Sequence, residues 1–160
     1  MTIPHRLWTR SAHHAAFKCG GWAFVRVVAG ERSGQAGGER NTTPRRMALA
    51  GVVAALKDLP PGAVAIDLGD AALAVLARKI AAGQALAEDE TPTEDLDLWA
   101  ALTTALKGRT VTFSASGGGA KGGPQAFAQA WADLAMDKAK MGGAFASAIP
   151  KPNLAKVEVG

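Results

Sequence analysis

The side chains of this chain most able to do chemistry are a few scattered carboxylates, two histidines and a glycine-rich loop. Asp67 and Asp70 end the apolar run GAVAIDLGD (62–70), and strand alternation turns Asp67 to the face opposite Asp70. Glu39 and Asp133 lie far from them in sequence. His13 and His14 are adjacent, so their side chains diverge, which suits a polar loop better than a metal site. GGGAKGG (117–123) follows a β-rich segment and precedes a helical one, as a phosphate-binding loop would. It lacks G-K-[ST] and the glycine spacing such a loop needs. Cys19 is the single cysteine, which excludes an internal disulfide and fits a reducing compartment.

The elements that must position these residues can be read from pattern. At 160 residues, 48% hydrophobic and 20% charged, the chain has the composition of one globular domain. GWAFVRVVA (21–29) reads as a strand, and RSGQAGGER (32–40) as a hairpin turn with a return strand. Thr43 suits a helix N-cap and Pro44 its first position, so 44–56 reads as a helix that stops at DLPPG. A buried strand (62–70) and a helix (71–86) follow. Next come an acidic loop (87–95), a helix (96–108) closed by Gly108, a strand (109–116), and a last helix (124–140) behind Pro124. Strands that are first antiparallel and then alternate with helices imply a mixed sheet covered by helices. The segment after Gly142-Gly143 carries Phe145, Ile149, Leu154 and Val157 without helical period. It reads as an extended tail (142–160) on a domain spanning 1–141, with two prolines that argue against any helix at 149–152. It either folds back on the domain or docks along a partner.

Charge is divided along the chain. Residues 1–46 hold eight Lys/Arg against two acids (+6), residues 47–137 six against eleven (−5), and residues 138–160 four against one (+3). A basic start is an electrostatic footprint for phosphates, or a solvated surface. No run is long and apolar enough for a membrane span, and the N-terminal residues lack a signal-peptide core, so a cytoplasmic protein without membrane contact is expected. Trp8, Trp22, Trp99 and Trp131 read as packing residues.

Four segments, in order, resemble the ribonuclease HI family. Gly20-Gly21-Trp22 is similar to the G-G-[YW] that opens that family's second strand. Residues 37–49 resemble G-G-E-x-x-T-T-N-N-R-M-E-L, residues 95–99 resemble N-x-D-L-W, and residues 131–135 resemble the x-D-x-L-A of the last helix. The resemblance implies an RNase H-like α/β fold: a mixed five-stranded sheet with an antiparallel three-stranded start and helices on both faces. It also implies two divalent cations held by four carboxylates, which stabilise the attacking and leaving oxygens in hydrolysis of RNA–DNA hybrids.

Carried over residue by residue, those four ligand positions fall on Arg10, Ala48, Asp70 and Ala132. Only Asp70 is a carboxylate; Asp133 is one position from Ala132 and about 100° around the helix. The family's helper histidine has no counterpart, because no histidine follows residue 14. Mg²⁺ or Mn²⁺ binding is therefore not expected, and the chain reads as a degenerate, non-catalytic member. Lys18, Thr42, Thr43, Arg45 and Arg46 stand where the family grips nucleic acid. Pro44 and Arg45 replace an Asn pair, HHAAFKC replaces a glycine-rich loop, and QALAEDETPTED is acidic where hybrid-binding relatives are basic. The expected function is a non-catalytic module binding RNA or an RNA–DNA hybrid. The alternatives are a structural or interaction subunit, docking through the acidic 87–95 loop, the basic flank or the tail, and residual ribonuclease H activity.

Overall fold

Residues 4–117 and 119–159 are described by a computed structural model, and the glycine loop expected at 117–123 includes Gly118, which lies outside them. Three antiparallel strands open the chain: β1 (His5–His14), β2 (Cys19–Val28) and β3 (Glu31–Glu39). The helix α1 (Pro44–Leu56) leads to β4 (Val64–Leu68), then α2 (Ala71–Ala81), a 3₁₀ turn at Glu88–Glu90, α3 (Leu96–Leu106), β5 (Val111–Ala115) and α4 (Pro124–Gly142). The chain ends in β6 (Phe145–Ala148) and a short helix, α5 (Lys151–Leu154). The six strands form one mixed sheet in the order β5-β4-β1-β2-β3-β6, with β1, β4 and β5 parallel.

The expected five strands are therefore six, because the tail adds one. β6 pairs antiparallel with β3, from Gln35↔Ala148 to Gly38↔Phe145, and occupies an edge that would otherwise present unpaired backbone groups. Ile149, Leu154 and Val157 are buried. The expectation that the prolines forbid a helix here is corrected as well. Pro150 caps α5 and Pro152 sits in its first turn, where a missing N–H leaves nothing unpaired.

Two hydrophobic layers follow from strand alternation. Leu7, Phe24, Ile66 and Leu68 face α1, α2 and α3, with Met47, Leu49, Leu73 and Leu102 among the buried partners. Trp8, Ala23, Val25 and Ala36 face α4 and the tail.

The glycines read as a turn at 32–40 belong to the strand β3 itself; the turn is Ala29-Gly30, both with positive φ. A side chain at Gly34 would crowd Ile149 and Leu154, and one at Gly38 would come within 3.0 Å of Ala135 and Ala139. Opposite Gly38 and Gly21 of β2, α4 presents Ala128, Ala132, Ala135 and Ala139, all buried. Small residues on both sides bring helix and sheet into backbone contact. α2 stops at Ala81 rather than at 86, because Gly83 turns left-handed (φ +71). Among the described residues no helix is long and apolar enough to cross a membrane.

Candidate functional site

The parallel pairing of β1 with β4 sets Trp8 beside Asp67 and carries Arg10 one alternation further along the same face. Arg10 is 5% exposed. Its guanidinium donates to the carbonyls of Thr9 (2.6 Å), Asp67 (3.2 Å), Ser116 (3.3 Å) and Gly117 (3.0 Å), to Ser116 Oγ (3.1 Å), and to Asp67 Oδ1 (3.4 Å). Asp67 also accepts from the Ser116 amide (3.2 Å) and hydroxyl (2.6 Å), and Gln125 of α4 points at it from 3.5 Å. Burial pushes the Arg10 pKa down and the Asp67 charge pulls it back up. An arginine stays protonated under such opposing effects, so this is a fixed internal cation.

Arg10, Ala48 and Asp70 do converge. They line a crevice of about 10 Å³ with Thr9, Leu68 and Gly69, room for at most one water molecule. Asp70 is already committed: Oδ1 accepts from the Leu73 amide (3.0 Å), capping α2, and Oδ2 faces Arg45 Nε at 3.5 Å. Ala132 is 0% exposed, with its backbone against Gly21 of β2, so a carboxylate there would be buried against main chain. Asp133 is exposed and accepts from Gln129.

Two cations held between carboxylates do not fit this set of groups. Arg10 places positive charge among the implied ligand positions, and no three His, Cys, Asp or Glu gather into a metal-sized group among the described residues.

The expected binding residues fall into two environments. Arg46 is held inward by Glu39 (2.6 Å), Asp95 (3.1 Å) and both oxygens of Asp97 (3.1 Å each). These bonds, that to Asp97 foremost, raise its pKa and hold Asp97 below the usual carboxylate range. Thr43 caps α1 by accepting from the Arg46 amide, and Thr42 is buried, donating to Glu39. Lys18 is exposed in the β1–β2 turn. That turn is tied to the β3–α1 junction: the Thr42 amide donates to the Lys18 carbonyl (2.9 Å), and His13 Nε2 meets the Thr42 carbonyl (2.9 Å). The two segments implied as grips thus share one edge, with Arg45 beside them and Arg46 withdrawn from it.

Sequence reasoning missed what else stands at that edge. Phe17 is 57% exposed at the turn, with Lys140 Nζ 3.9 Å from its ring centre and the His14 ring centre at 4.9 Å. Arg40 reaches the Lys140 and Met141 carbonyls that end α4 (2.9 and 3.0 Å). An aromatic beside a lysine in AAFKC was a readable signal; the arrival of Lys140 from the far end of the last helix was not.

Away from this edge, a groove of about 530 Å³ runs between α2 and the 89–95 loop. Val75, Leu76 and Trp99 form its apolar wall, and Asp89, Glu90, Glu94 and Asp95 its acidic one.

The fold is that of solved RNase H domains. The N-terminal RNase H domain of Rv2228c from Mycobacterium tuberculosis, solved as a fusion with maltose-binding protein, superposes with a TM-score of 0.61 at 16% identity, over 86% of this chain and 96% of that one. Foamy viral protease-reverse transcriptase in complex with RNA/DNA hybrid gives 0.62 at 14% identity, over 85% of this chain but 21% of that one. The same viral protein in complex with dsDNA gives 0.64 at 12%, over 82% and 93%. No protein-family model matches the sequence, and the search of curated proteins gives no match.

Proposed function

We propose that this chain is a non-catalytic RNase H-like module that binds nucleic acid, RNA or an RNA–DNA hybrid, without cutting it. The loss of chemistry is argued from Arg10. A buried guanidinium making six hydrogen bonds sits where hydrolysis by this fold would need a metal-binding carboxylate. Asp70, the one carboxylate left, is used as a helix cap and as the partner of Arg45.

Binding rests on one observation. Lys18, Arg40 and Lys140 meet at the β1–β2 end of the sheet, and none of them has an ion-pair partner among the described residues. Cations without a protein counter-charge suit phosphates, whose neutralisation supplies most non-specific affinity. The acidic 89–95 side would repel a phosphate backbone, so the strand is directed over the β1–β2 end and away from α2. Titrating salt against binding of a labelled RNA–DNA hybrid tests this. A log–log slope of about −2 to −3 is expected for two or three neutralised phosphates. A slope near zero, or no binding at low salt, refutes it. The same mixture with Mn²⁺ should leave the RNA strand intact.

A protein-docking role has its own supporting observation, the groove with an acidic wall beside Val75 and Trp99, which would suit a cationic segment. Capture through the tail is not favoured, because Ile149, Leu154 and Val157 are buried in this domain.

A further inference from the structure

We infer that the β1–β2 turn takes unpaired nucleotides in preference to a duplex, by stacking a base on Phe17 with the flanking phosphates on Lys18, Arg40 and Lys140. The inference rests on the nucleic-acid reading above and names the form of strand that the same edge selects.

Large aromatic side chains gain most by burial, and Phe17 is left 57% exposed although the chain has a layered core to hide it. It is held in place. The turn that carries it is fastened on both sides, through Thr42 to Lys18 and through Thr42 to His13, each at 2.9 Å. A preorganised ring loses little freedom on binding, which is what a stacking platform requires. Lys140 Nζ lies over the ring, 3.9 Å from its centre, and the His14 ring is inclined to it by 55°. Met141, 79% exposed, adds a polarisable thioether at the same end of α4.

The charges around the ring are cationic. Asp137, one turn back on α4, is the acid nearest to Lys140 in sequence, and the two are not ion-paired. Cations around an exposed aromatic match the two parts of a single strand, a π-face and a phosphate. A duplex keeps its base faces stacked inside and offers the ring only sugar and phosphate edges, so it gains from the lysines but not from Phe17.

The test uses the full chain and a fluorescein-labelled mixed-sequence DNA strand of about 12 nucleotides, within the range of known single-strand site sizes. Its DNA duplex and its hybrid with complementary RNA are the comparison probes. The single strand should bind tightest. Phe17→Ala should weaken it by about 5- to 150-fold, the range of one base–aromatic stack, while binding to the two duplexes changes little. Phe17→Trp should keep the affinity, and its added indole emission should be quenched by the single strand. Lys18→Ala and Lys140→Ala should each lower the single-strand salt slope by about 0.7. Tighter binding of either duplex, or an unchanged affinity in Phe17→Ala, overturns the inference and leaves the nucleic-acid reading standing. No binding to any of the three probes overturns both and leaves the patch to an acidic protein.

Discussion

Arg10 carries the largest consequence of any single residue here. Its guanidinium satisfies carbonyls from β1, β4 and the segment after β5, and it compensates Asp67, whose side chain is 14% exposed. Removing one member of such a pair costs about 3–5 kcal/mol, because the other charge is left buried and uncompensated. Arg10→Met should therefore lower the urea midpoint by an amount of that order, and Asp67→Asn in the same chain should recover part of it. A loss under about 1 kcal/mol, or no coupling in the double variant, would contradict this account. Arg46 supports a prediction in pH. It holds Asp97 below the ordinary carboxylate range, so on acidification the unfolded chain takes up its proton first. The stability from this contact is whole above about pH 4 and is lost as pH falls through the depressed folded-state value. Melting curves from pH 6 downward should show a shallower acid loss in Arg46→Gln than in the parent chain; parallel curves would assign the acid loss to other groups.

At the scale of elements, α4 against β2 and β3 shows why a carboxylate at Ala132, one of the implied ligand positions, would not be accommodated by that mutation alone. The helix and the strands meet through alanine and glycine, and Gly21 faces the Ala132 carbonyl and the Met136 amide with no space for a methyl group. Gly21→Ala would force helix and sheet apart, an overpacking cost of about 1–3 kcal/mol or more. Ala132→Asp would bury a carboxylate without a partner, a penalty large enough to shift its pKa upward or unfold the contact. Both should melt below the parent chain, and a soluble Ala132→Asp of unchanged melting temperature would refute the packing argument. These contacts also mark what the sequence could convey. α1 was legible because Thr43 and Pro44 act locally, and the alternation of β4 was legible because one of its faces is buried. The β3 glycines were misread as a turn because the reason for them lies on α4 and in the tail. FASA (145–148) has little strand signal of its own, and the free edge of β3 makes it a strand. In the candidate site, the residue types at the positions the resemblance implies as ligands, Arg10, Ala48, Asp70 and Ala132, were legible one by one. The withdrawal of Arg46 was not, since Asp95 and Asp97 approach it across 49 and 51 positions of chain.

For the molecule as a whole, the excess of positive charge divides between holding the fold and facing outward. Arg26 donates to the Ala55 and Lys57 carbonyls at the end of α1, Arg40 to those ending α4, and Arg109 to Leu59, Pro60 and Gly62. Guanidinium groups at helix C-termini complement the partial negative charge there. Net charge therefore overstates the cationic surface on offer, while Lys18 and Lys140 stand beside the exposed Phe17 at the β1–β2 end. The β3 edge of the sheet depends on the tail. β6 covers the β3 edge while Ile149 and Leu154 fill the space over Gly34, in the same layer as Trp8 and Val25. Three buried aliphatic side chains, Ile149, Leu154 and Val157, at about 1.5–3 kcal/mol each, are comparable with the whole stability of a small domain. A chain ending at Gly143 should lose most of its melting transition, and the uncovered β3 edge should make it associate as concentration rises. Replacing Ile149 and Leu154 by alanine in the full chain separates the two effects, because it removes apolar burial and keeps the β6 hydrogen bonds. That variant should melt lower and sediment as the parent chain does. If truncation at Gly143 leaves melting unchanged, the tail contributes nothing to the fold and its burial is incidental.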